Sequence, residues 1–549
     1  MLYWRGEPWM TERNLFLRGA LVLGLAGLLS KVLGSVYTIF LQNIIGDRGI
    51  GLYQMAYPIY STLLILSTAG FPVAVSKFVA EHIALGDYAG AKKVFRVSSV
   101  LLTLSGIVCF LALFFGAEQF AVWFGDTDAA LAIKAIAPAL LVVPIMSAIR
   151  GYFQGWQRME PTAISQVTEQ LIRVGTILAA AIILLQWGYS EAHAAAGAAF
   201  GAFTGAVFGL LILLIYAWRK RELFRHDVRF KNKIPPQRTW GHIKKLCWYA
   251  LPISLGALVV PLMNNIDVVT VVNLLKACGY SQQEATEMFG LLTGRAFKLM
   301  LLPTTFASAI GTALLPAIAA AIAVKNSRLV ARRMEMAMRM TILVALPSAV
   351  GLALLAAPVD IMLFKNTEGT QAIIAIAAAT LFSSIQLTTS SILQGIGVIY
   401  IPVRNLFIGA LAKLGLNFLF VPIWGINGAA LATVISYLIA SIMNLYSMYR
   451  HTGVVFDLRA MLFRPLLATF LMAVAAYSCV RELWPYLAQH SDSERMAAAL
   501  VSLGAIGAAS LVYTVALLVT GTVTRSDMMA IPKVGPKLAD LFSKLGLIR

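Results

Sequence analysis

Long blocks of apolar residues, separated by short charged loops, run through the whole sequence and limit how it can fold. An α-helix needs about 20 apolar residues to cross the hydrocarbon core of a bilayer, and the blocks reach that length. Charged residues make up 13% of the chain, whereas a soluble domain carries roughly 25%. The short alternating segments typical of a membrane β-barrel are missing from the sequence. We therefore predict an all-α membrane protein with about fourteen transmembrane helices. The predicted spans are 15–45, 52–80, 94–116, 130–152, 163–187, 194–218, 246–273, 290–322, 337–359, 370–394, 404–422, 427–449, 460–482 and 496–521.

Lys and Arg residues are concentrated in every second loop, and this alternation predicts the orientation of the chain. The segment 219–245 holds ten of them, while the intervening loops are acidic or neutral. Because basic loops stay on the cytoplasmic side, both termini are predicted to be cytoplasmic in a multi-pass protein. The net charge of +19 therefore reflects loops at a membrane. A basic stripe with interleaved aromatic residues is missing, so we predict no nucleic-acid partner.

An internal repeat predicts how the spans are grouped. Gln154 and Gln394 each come near the end of a span, and Arg173 and Lys413 follow them at equal distances, so that each pair lies 240 positions apart. Six spans precede the basic segment and six follow it, which predicts two parallel lobes with a substrate site between them near mid-membrane. The predicted divisions are an N-terminal six-helix lobe at 1–218, a basic cytoplasmic linker at 219–245, a C-terminal six-helix lobe at 246–449, helices thirteen and fourteen at 450–525, and a cytoplasmic tail at 526–549.

Charged residues inside the spans are the candidate binding residues, because a charge that faces lipid costs about 3 kcal/mol or more. Lys31 and Lys298 lie deep in apolar blocks with no acidic residue one turn away, and Arg295 lies one turn before Lys298. We predict that these three cations face a central aqueous cavity. Such cations attract an anion such as a phosphate.

Other polar residues in or beside the spans are predicted to have structural or gating roles. Glu169 and Arg173 are four residues apart, in the acid-before-base order that stabilises a pair along one helix. Lys413 either faces the interior or extends its ammonium group towards the cytoplasmic side. The predicted set is Arg150, Gln154, Glu169, Arg173, Gln394 and Lys413.

The motifs of several enzyme classes are missing from the sequence. It has no phosphate-binding Walker A loop, no G-x-S-x-G turn and no H-E-x-x-H helix. The four cysteines form no C-x-x-C pair, and the histidines show no metal-ligand spacing. We predict no catalytic residues, no metal and no cofactor. Energy for transport is then expected from an ion gradient, the membrane potential or substrate supply.

Several runs of residues resemble a known transporter family. They are G-L-Y-Q-M-A-Y-P at 51–58, A-G-F-P-V-A-V-S-K-F-V-A-E at 69–81, R-G-Y-F-Q-G-W-Q-R-M-E-P-T-A-I-S-Q-V-T-E-Q-L-I-R-V at 150–174, L-Q-G-I-G at 393–397, K-L-G-L-N-F-L at 413–419 and G-A-A-L-A-T at 428–433. The chain resembles the polysaccharide transporters of the multidrug/oligosaccharidyl-lipid/polysaccharide (MOP) exporter superfamily. The branch that it resembles most contains stage V sporulation protein B and MurJ-type lipid II flippases of Gram-positive bacteria.

This resemblance implies an alternating-access flippase in the bacterial cytoplasmic membrane. The substrate would be an undecaprenyl-diphosphate-linked sugar, used for cell-wall, spore peptidoglycan or polysaccharide synthesis, and cell-wall synthesis proteins are possible partners. The family fold has two six-helix lobes around a cationic cavity, and two C-terminal helices that form a groove for the lipid tail. Lys31 and Lys298 match cavity Arg positions, whereas Tyr37 and a residue near Leu64 replace two others.

The resemblance also implies a coupling ion, either Na⁺ or H⁺. The nearest candidate ligands are Asp267, Asn417 and Thr433. Two alternative functions stay open from the sequence. A drug or cation antiporter of the same superfamily would use buried carboxylates, and a non-transporting scaffold for glycan synthesis would shield its buried lysines from water. The sequence also leaves open which lipid-linked glycan is carried.

Overall fold

A computed structural model describes the chain over residues 12–68, 70–219, 239–457, 459–491 and 493–522. Most of the predicted basic linker and the predicted tail at 526–549 lie outside these residues. The described residues form helices without any strand. The helices are α1 Glu12–Thr68, α2 Phe71–Ala84, α3 Tyr88–Phe115, α4 Ala117–Phe124, α5 Ala129–Ile136, α6 Ala139–Gly155, α7 Glu160–Gln186, α8 Glu191–Arg219, α9 Thr239–Ala277, α10 Gln282–Gly290, α11 Phe297–Ala323, α12 Ser327–Leu354, α13 Ala356–Phe364, α14 Thr370–Gly395, α15 Tyr400–Trp424, α16 Ile426–Thr452, α17 Arg464–His490 and α18 Glu494–Val519. Two π-helical segments, Leu291–Ala296 and Arg459–Phe463, precede α11 and α17.

The described residues contain 13 helical segments that are long and apolar enough to cross a membrane. The sequence predicts about fourteen spans, and the two counts differ because α1 is one helix of 57 residues with a kink at Gly46. Its two arms, on either side of the kink, correspond to the first predicted span and the beginning of the second.

Exposed apolar side chains follow one face of each span, such as Val100, Leu104 and Val108 on α3. A stripe of this kind is the surface that a spanning helix presents to lipid.

Two predicted spans each contain a break in the helix, although each lies within one segment long and apolar enough to cross a membrane. The predicted span 52–80 is divided at Gly70, which has φ of 77°. A Cβ at Gly70 would also overlap the carbonyl oxygen of Ala250, so this break requires glycine. The predicted span 130–152 is divided between α5 and α6 at Pro138, because proline has no N–H to continue a helix.

The chain divides into two compact units, Met1–Gly290 and Leu291–Arg549. The helix α9 belongs to the first unit, although the sequence predicts it in a C-terminal lobe starting at 246. It does so because the Asn265 side chain donates to the carbonyl of Pro58 at 3.2 Å and to the Thr62 hydroxyl at 2.7 Å, both on α1. The predicted lobes describe a repeated sequence rather than a compact unit, and they stay a prediction.

Backbone landmarks recur in the two units at a spacing of 239 or 240 positions. The Asp87 side chain caps the start of α3 by accepting a hydrogen bond from the backbone N–H of Gly90. The Asn326 side chain caps the start of α12 in the same way, by accepting from the N–H of Leu329. The helices α7 and α15 start at Glu160 and Tyr400, and α6 and α14 end at Gly155 and Gly395. Residues with a left-handed backbone conformation (positive φ) also recur, with Gly125 matching Lys365 and Gln157 matching Gly397. The fold of the chain is therefore internally repeated, as the sequence predicts.

Candidate functional site

The second unit contains an apolar cavity of about 470 Å³ between α11, α12, α13, α17 and α18. We call it the apolar groove. Its walls include Leu299, Leu302, Val344, Met472 and Ile506. A cavity of this size and lining matches those that enclose apolar ligands.

Small residues on the two C-terminal helices make room for the apolar groove. Ala476 on α17 and Ala509 on α18 line it. The Tyr513 hydroxyl, at its edge, donates to the carbonyl of Leu343 at 2.8 Å and is thereby satisfied. The lining residues carry no charged side chain, so this cavity suits a hydrocarbon chain rather than an anion.

Lys298, one of the predicted cavity cations, lies beside this groove in sequence. It precedes Leu299, which lines the groove, and its side chain is partly buried. Its ammonium forms no ion pair with a carboxylate in the part of the chain that the structure describes. Lys31 lies on α1, but its side chain is outside the described residues. The predicted pairing of these two lysines in a cavity therefore stays a prediction.

Arg295 lies in a setting that differs from the open cavity expected from the sequence. Its side chain is 2% exposed, and its Nη1 donates to Asp360 Oδ1 at 3.0 Å and to Asn366 Oδ1 at 2.5 Å. The guanidinium also lies 4.8 Å from the ring centroid of Phe364. Because these partners occupy the guanidinium inside the unit, we leave Arg295 out of the site proposed below.

Asp360 is the buried counterion of Arg295. Its second carboxylate oxygen accepts from the Thr370 hydroxyl at 3.1 Å. Burial raises the pKa of Asp360 above its ordinary value, and the neighbouring Arg295 and Thr370 partly offset that rise. The pair is 65 residues apart in sequence, so no local pattern indicates it.

A cluster of two arginines and one glutamate lies inside the first unit. Arg150 Nη2 on α6 lies 2.9 Å from Glu169 Oε2 on α7, and Arg173 Nη2 lies 2.9 Å from Glu169 Oε1. The predicted pair of Glu169 and Arg173 is thus present. Arg150 also donates to the Ser165 hydroxyl at 2.8 Å, and the sequence analysis did not single out Ser165. One carboxylate therefore bridges two guanidinium groups and two helices.

A row of glycines on α8 sets the position of this cluster. Gly201, Gly205 and Gly209 are spaced four residues apart and face α7. A Cβ at Gly205 would lie 2.6 Å from the carbonyl oxygen of Glu169. Small residues at this spacing let two membrane helices approach closely. A Cβ at Gly209 would lie 3.2 Å from Glu169 Cβ, so the glycines of α8 also leave room for the side chains of the cluster.

Four tyrosines of α1 lie on the side of the cluster that faces that helix. The hydroxyls of Tyr37 and Tyr53 are 2.7 Å apart, and the ring centroids of Tyr53 and Tyr57 and of Tyr57 and Tyr60 are 6.3 and 6.1 Å apart. The Tyr60 side chain is 1% exposed, and its hydroxyl has no hydrogen-bond partner among the described residues. The cluster is therefore lined by aromatic rings and by an unsatisfied donor.

The other predicted gating residues are spread over the two units. The carbonyls of Gln154 and Gln394 accept from the N–H of Gln157 and Gly397, at 2.9 and 3.0 Å, where α6 and α14 end. Lys413 is 1% exposed, with its Nζ 5.4 Å from the Phe297 ring centroid. Lys413 is thus buried inside its unit, and whether its ammonium extends towards the cytoplasmic side stays a prediction. The gating roles stay predictions.

The predicted coupling-ion ligands are all buried. Asp267 lies on α9 in the first unit, whereas Asn417 and Thr433 lie on α15 and α16 in the second. The Thr433 hydroxyl donates to the carbonyl of Ala429 at 3.0 Å. Among the described residues, no group of three or more His, Cys, Asp or Glu side chains is placed to hold a metal ion. The ion site stays a prediction.

A polar network in the first unit was not expected from the sequence. The buried Asp126 carboxylate accepts from Gln282 Nε2 and from the Thr286 hydroxyl, both at 2.7 Å, which ties the loop after α4 to α10. Arg48 lies 2.5 Å from Asp128 in the same loop. The internal repeat could have indicated this network, because Asp126 and Asn366 are 240 positions apart and each accepts a hydrogen bond from another side chain.

Comparison with known proteins places the chain among membrane transporters. Residues 16–322 match a family model described as polysaccharide biosynthesis protein. The chain is 32% identical to the uncharacterized membrane protein YabM of Bacillus subtilis (strain 168), covering 96% of this chain and 97% of that one. It is 31% identical to lipid II flippase MurJ of the same strain, covering 90% and 94%. It is 28% identical to stage V sporulation protein B of that strain, covering 95% and 99%.

Two solved structures have the same fold. An inward-facing multidrug resistance MATE family transporter of the MOP superfamily superposes with a TM-score of 0.66 and 16% identity, covering 77% of this chain and 94% of that one. Lipid II flippase MurJ in an inward closed conformation superposes with a TM-score of 0.63 and 16% identity, covering 90% and 98%. The predicted MATE-like and MurJ-like all-α fold is confirmed.

Proposed function

We propose, from the premise that this chain belongs to the polysaccharide biosynthesis protein family, that it is a flippase for a lipid-linked sugar. The substrate class is an undecaprenyl-diphosphate-linked sugar, either lipid II or a related polysaccharide precursor. The protein moves the head group across the bacterial cytoplasmic membrane by alternating access, with both termini in the cytoplasm. The product serves cell-wall, spore peptidoglycan or polysaccharide synthesis.

The apolar groove is the observation that carries this proposal. A prenyl tail is a flexible hydrocarbon, and an uncharged cavity of about 470 Å³ between spanning helices can hold part of it. The flippase and sporulation relatives named above align over 90% and 95% of this chain. Lys298 directly precedes Leu299 of the groove in sequence and forms no ion pair within the described residues, so it is a candidate for contact with the diphosphate.

Filling the apolar groove tests the proposal. Ala476→Phe and Ala509→Phe place a ring in the groove, and we expect both variants to lose the ability to restore growth to a bacterium depleted of its lipid II flippase. Leu471→Phe is the matched control, since Leu471 lies on the same helix and is 43% exposed. Overpacking a full core costs about 1–3 kcal/mol, so each variant is first checked for expression and thermal stability.

The direct readout is the fraction of lipid-linked precursor that an externally added enzyme can reach. Depletion of this protein is expected to make one lipid-linked precursor accumulate in the inner leaflet, and its head group identifies the glycan. If depletion instead raises drug sensitivity and leaves precursor exposure unchanged, the chain is a drug antiporter and the proposal is wrong. If both groove variants restore precursor exposure fully, the groove does not hold the tail.

A further inference from the structure

We infer that Arg150 and Arg173 of the first unit form an anion site that binds the diphosphate of the lipid-linked substrate, an inference that rests on the proposed function. Glu169 occupies this site in the substrate-free protein and competes with the diphosphate. From the sequence alone, these three residues are predicted to have structural or gating roles. Their geometry and charge point to ligand binding.

The charge balance of the cluster is the first argument. Two guanidinium groups share one carboxylate, and no second carboxylate of the described residues pairs with either arginine. Ser165, the other partner of Arg150, is neutral. One positive charge is therefore left over inside a spanning region, where an uncompensated charge is unfavourable. An anion that enters from a water-filled space would balance it.

The position of Arg173 is the second argument. It is the middle residue of α7, which runs from Glu160 to Gln186 over 27 residues. At 1.5 Å per residue, about 20 Å of helix lies on each side of it. Arg173 is thus far from both membrane surfaces, at the depth where a transporter of this kind holds its substrate. An ion pair that only stabilised the protein at a membrane surface would not have to lie at the middle of the membrane.

The unsatisfied donors are the third argument. The Nε atoms of Arg150 and Arg173 and the hydroxyl of Tyr60 are buried and have no hydrogen-bond partner among the described residues. The side chains of Arg150 and Arg173 are each 16% exposed, so the guanidinium groups keep some access from outside the packed core. A diphosphate offers several charged acceptor oxygens, and arginine binds such groups through two parallel hydrogen bonds.

A purely structural cluster and an anion site predict opposite effects for one substitution. If the cluster only joins α6 to α7, Glu169→Gln removes the bridge and weakens the protein with no gain in binding. If it is an anion site, Glu169→Gln removes the competing carboxylate and strengthens diphosphate binding. Arg173→Gln weakens binding in the anion model only. The signs of the two effects therefore separate the two models.

The experiment uses the purified full-length chain in detergent and measures binding by the ligand-induced rise in unfolding temperature. The probes are farnesyl diphosphate, farnesyl monophosphate and farnesol, at one ionic strength. We expect Arg150→Gln and Arg173→Gln to weaken farnesyl diphosphate binding about tenfold, because each loses a charge-assisted hydrogen bond. We expect Glu169→Gln to tighten it at least threefold. Farnesol binding should be unchanged in all three variants.

Arg481→Gln is the matched control, since Arg481 is an exposed residue of α17 outside the cluster, and its loss should not change diphosphate binding. If Arg173→Gln does not fold, the double variant Arg173→Gln/Glu169→Gln removes both charges and is expected to fold and to bind the diphosphate weakly. Wild-type affinity in either of these Arg173 variants overturns the inference but leaves the proposed function, since the diphosphate is then bound elsewhere. If the wild-type chain binds farnesyl diphosphate no better than farnesol, both the inference and the proposed function fail.

Discussion

Arg295→Met is expected to destabilise the second unit strongly. The substitution keeps an unbranched side chain but leaves Asp360 without the guanidinium that lies 3.0 Å away. Breaking a buried ion pair by removing one partner costs about 3–5 kcal/mol, because the remaining charge stays desolvated. The Thr370 hydroxyl, at 3.1 Å from the other carboxylate oxygen, is neutral and cannot replace the charge. The expected loss lies in the upper half of that range, since the side chain of Asp360 is completely buried.

The double variant Arg295→Met/Asp360→Leu is expected to recover most of this loss. It replaces both charges with apolar groups of similar volume, a change that is often neutral or stabilising. The measurement is thermal unfolding of the purified full-length chain in detergent, with Asp360→Leu as the fourth member of a double-mutant cycle. A coupling free energy below about 0.5 kcal/mol would refute the argument, because residues in contact normally exceed it.

The destabilisation by Arg295→Met should also depend on pH. Burial already raises the pKa of Asp360, and removing Arg295 takes away a partner that lowers it. The folded variant then holds a proton on Asp360 at pH values where the unfolded chain, with a carboxyl pKa of about 3.9, has lost it. Stability therefore falls as the pH rises from about 4 through the raised pKa. The deficit relative to wild type should be smaller at pH 4.5 than at pH 7.5, and a deficit that grows on acidification contradicts the account.

Three further substitutions test other parts of the fold by the unfolding temperature of the full-length chain. Gly70→Ala is expected to cost more than about 1 kcal/mol, since φ is 77° and the new Cβ would overlap Ala250; an unchanged unfolding temperature would contradict the break described there. Asp126→Ala should cost about 1–3 kcal/mol because it leaves the buried Thr286 hydroxyl and the partly buried Gln282 amide without their acceptor, whereas Asp126→Asn should cost less. Asp87→Ala should cost about 1 kcal/mol through loss of the cap on α3, and Asp87→Asn should restore most of it.

The sequence predicts the spans and their repeat well because both depend on local properties of the chain. Apolar length alone identifies a spanning helix, and the spacing of Gln154 and Gln394 locates the repeat that the helix ends confirm. The breaks inside two of these spans are not predicted, because each is made by one residue that interrupts an apolar run. Gly70 and Pro138 are such positions, because a window average of hydropathy does not register a single change of backbone conformation.

The candidate site is predicted less well, because its contacts join residues far apart in sequence. Arg295 lies one turn before Lys298 and is predicted to face the central cavity, yet Asp360 reaches it from 65 positions along the chain. Glu169 and Arg173, in contrast, are four residues apart and were predicted to pair. The second guanidinium at Glu169 comes from Arg150 on another helix, which no spacing indicates. Local pairs are thus readable, and pairs between helices are not.

The two repeats differ at the position of Glu169. Glu169 and Gly409 are 240 positions apart, on α7 and α15. In the first unit the close helix approach is provided by Gly205 on α8, so α7 is free to carry a carboxylate. In the second unit the glycine lies on α15 itself, and a Cβ at Gly409 would lie 2.8 Å from the carbonyl oxygen of Ser436 on α16. Lys413, equivalent to Arg173, therefore keeps the basic residue, while the position equivalent to Glu169 is the glycine at which α15 approaches α16.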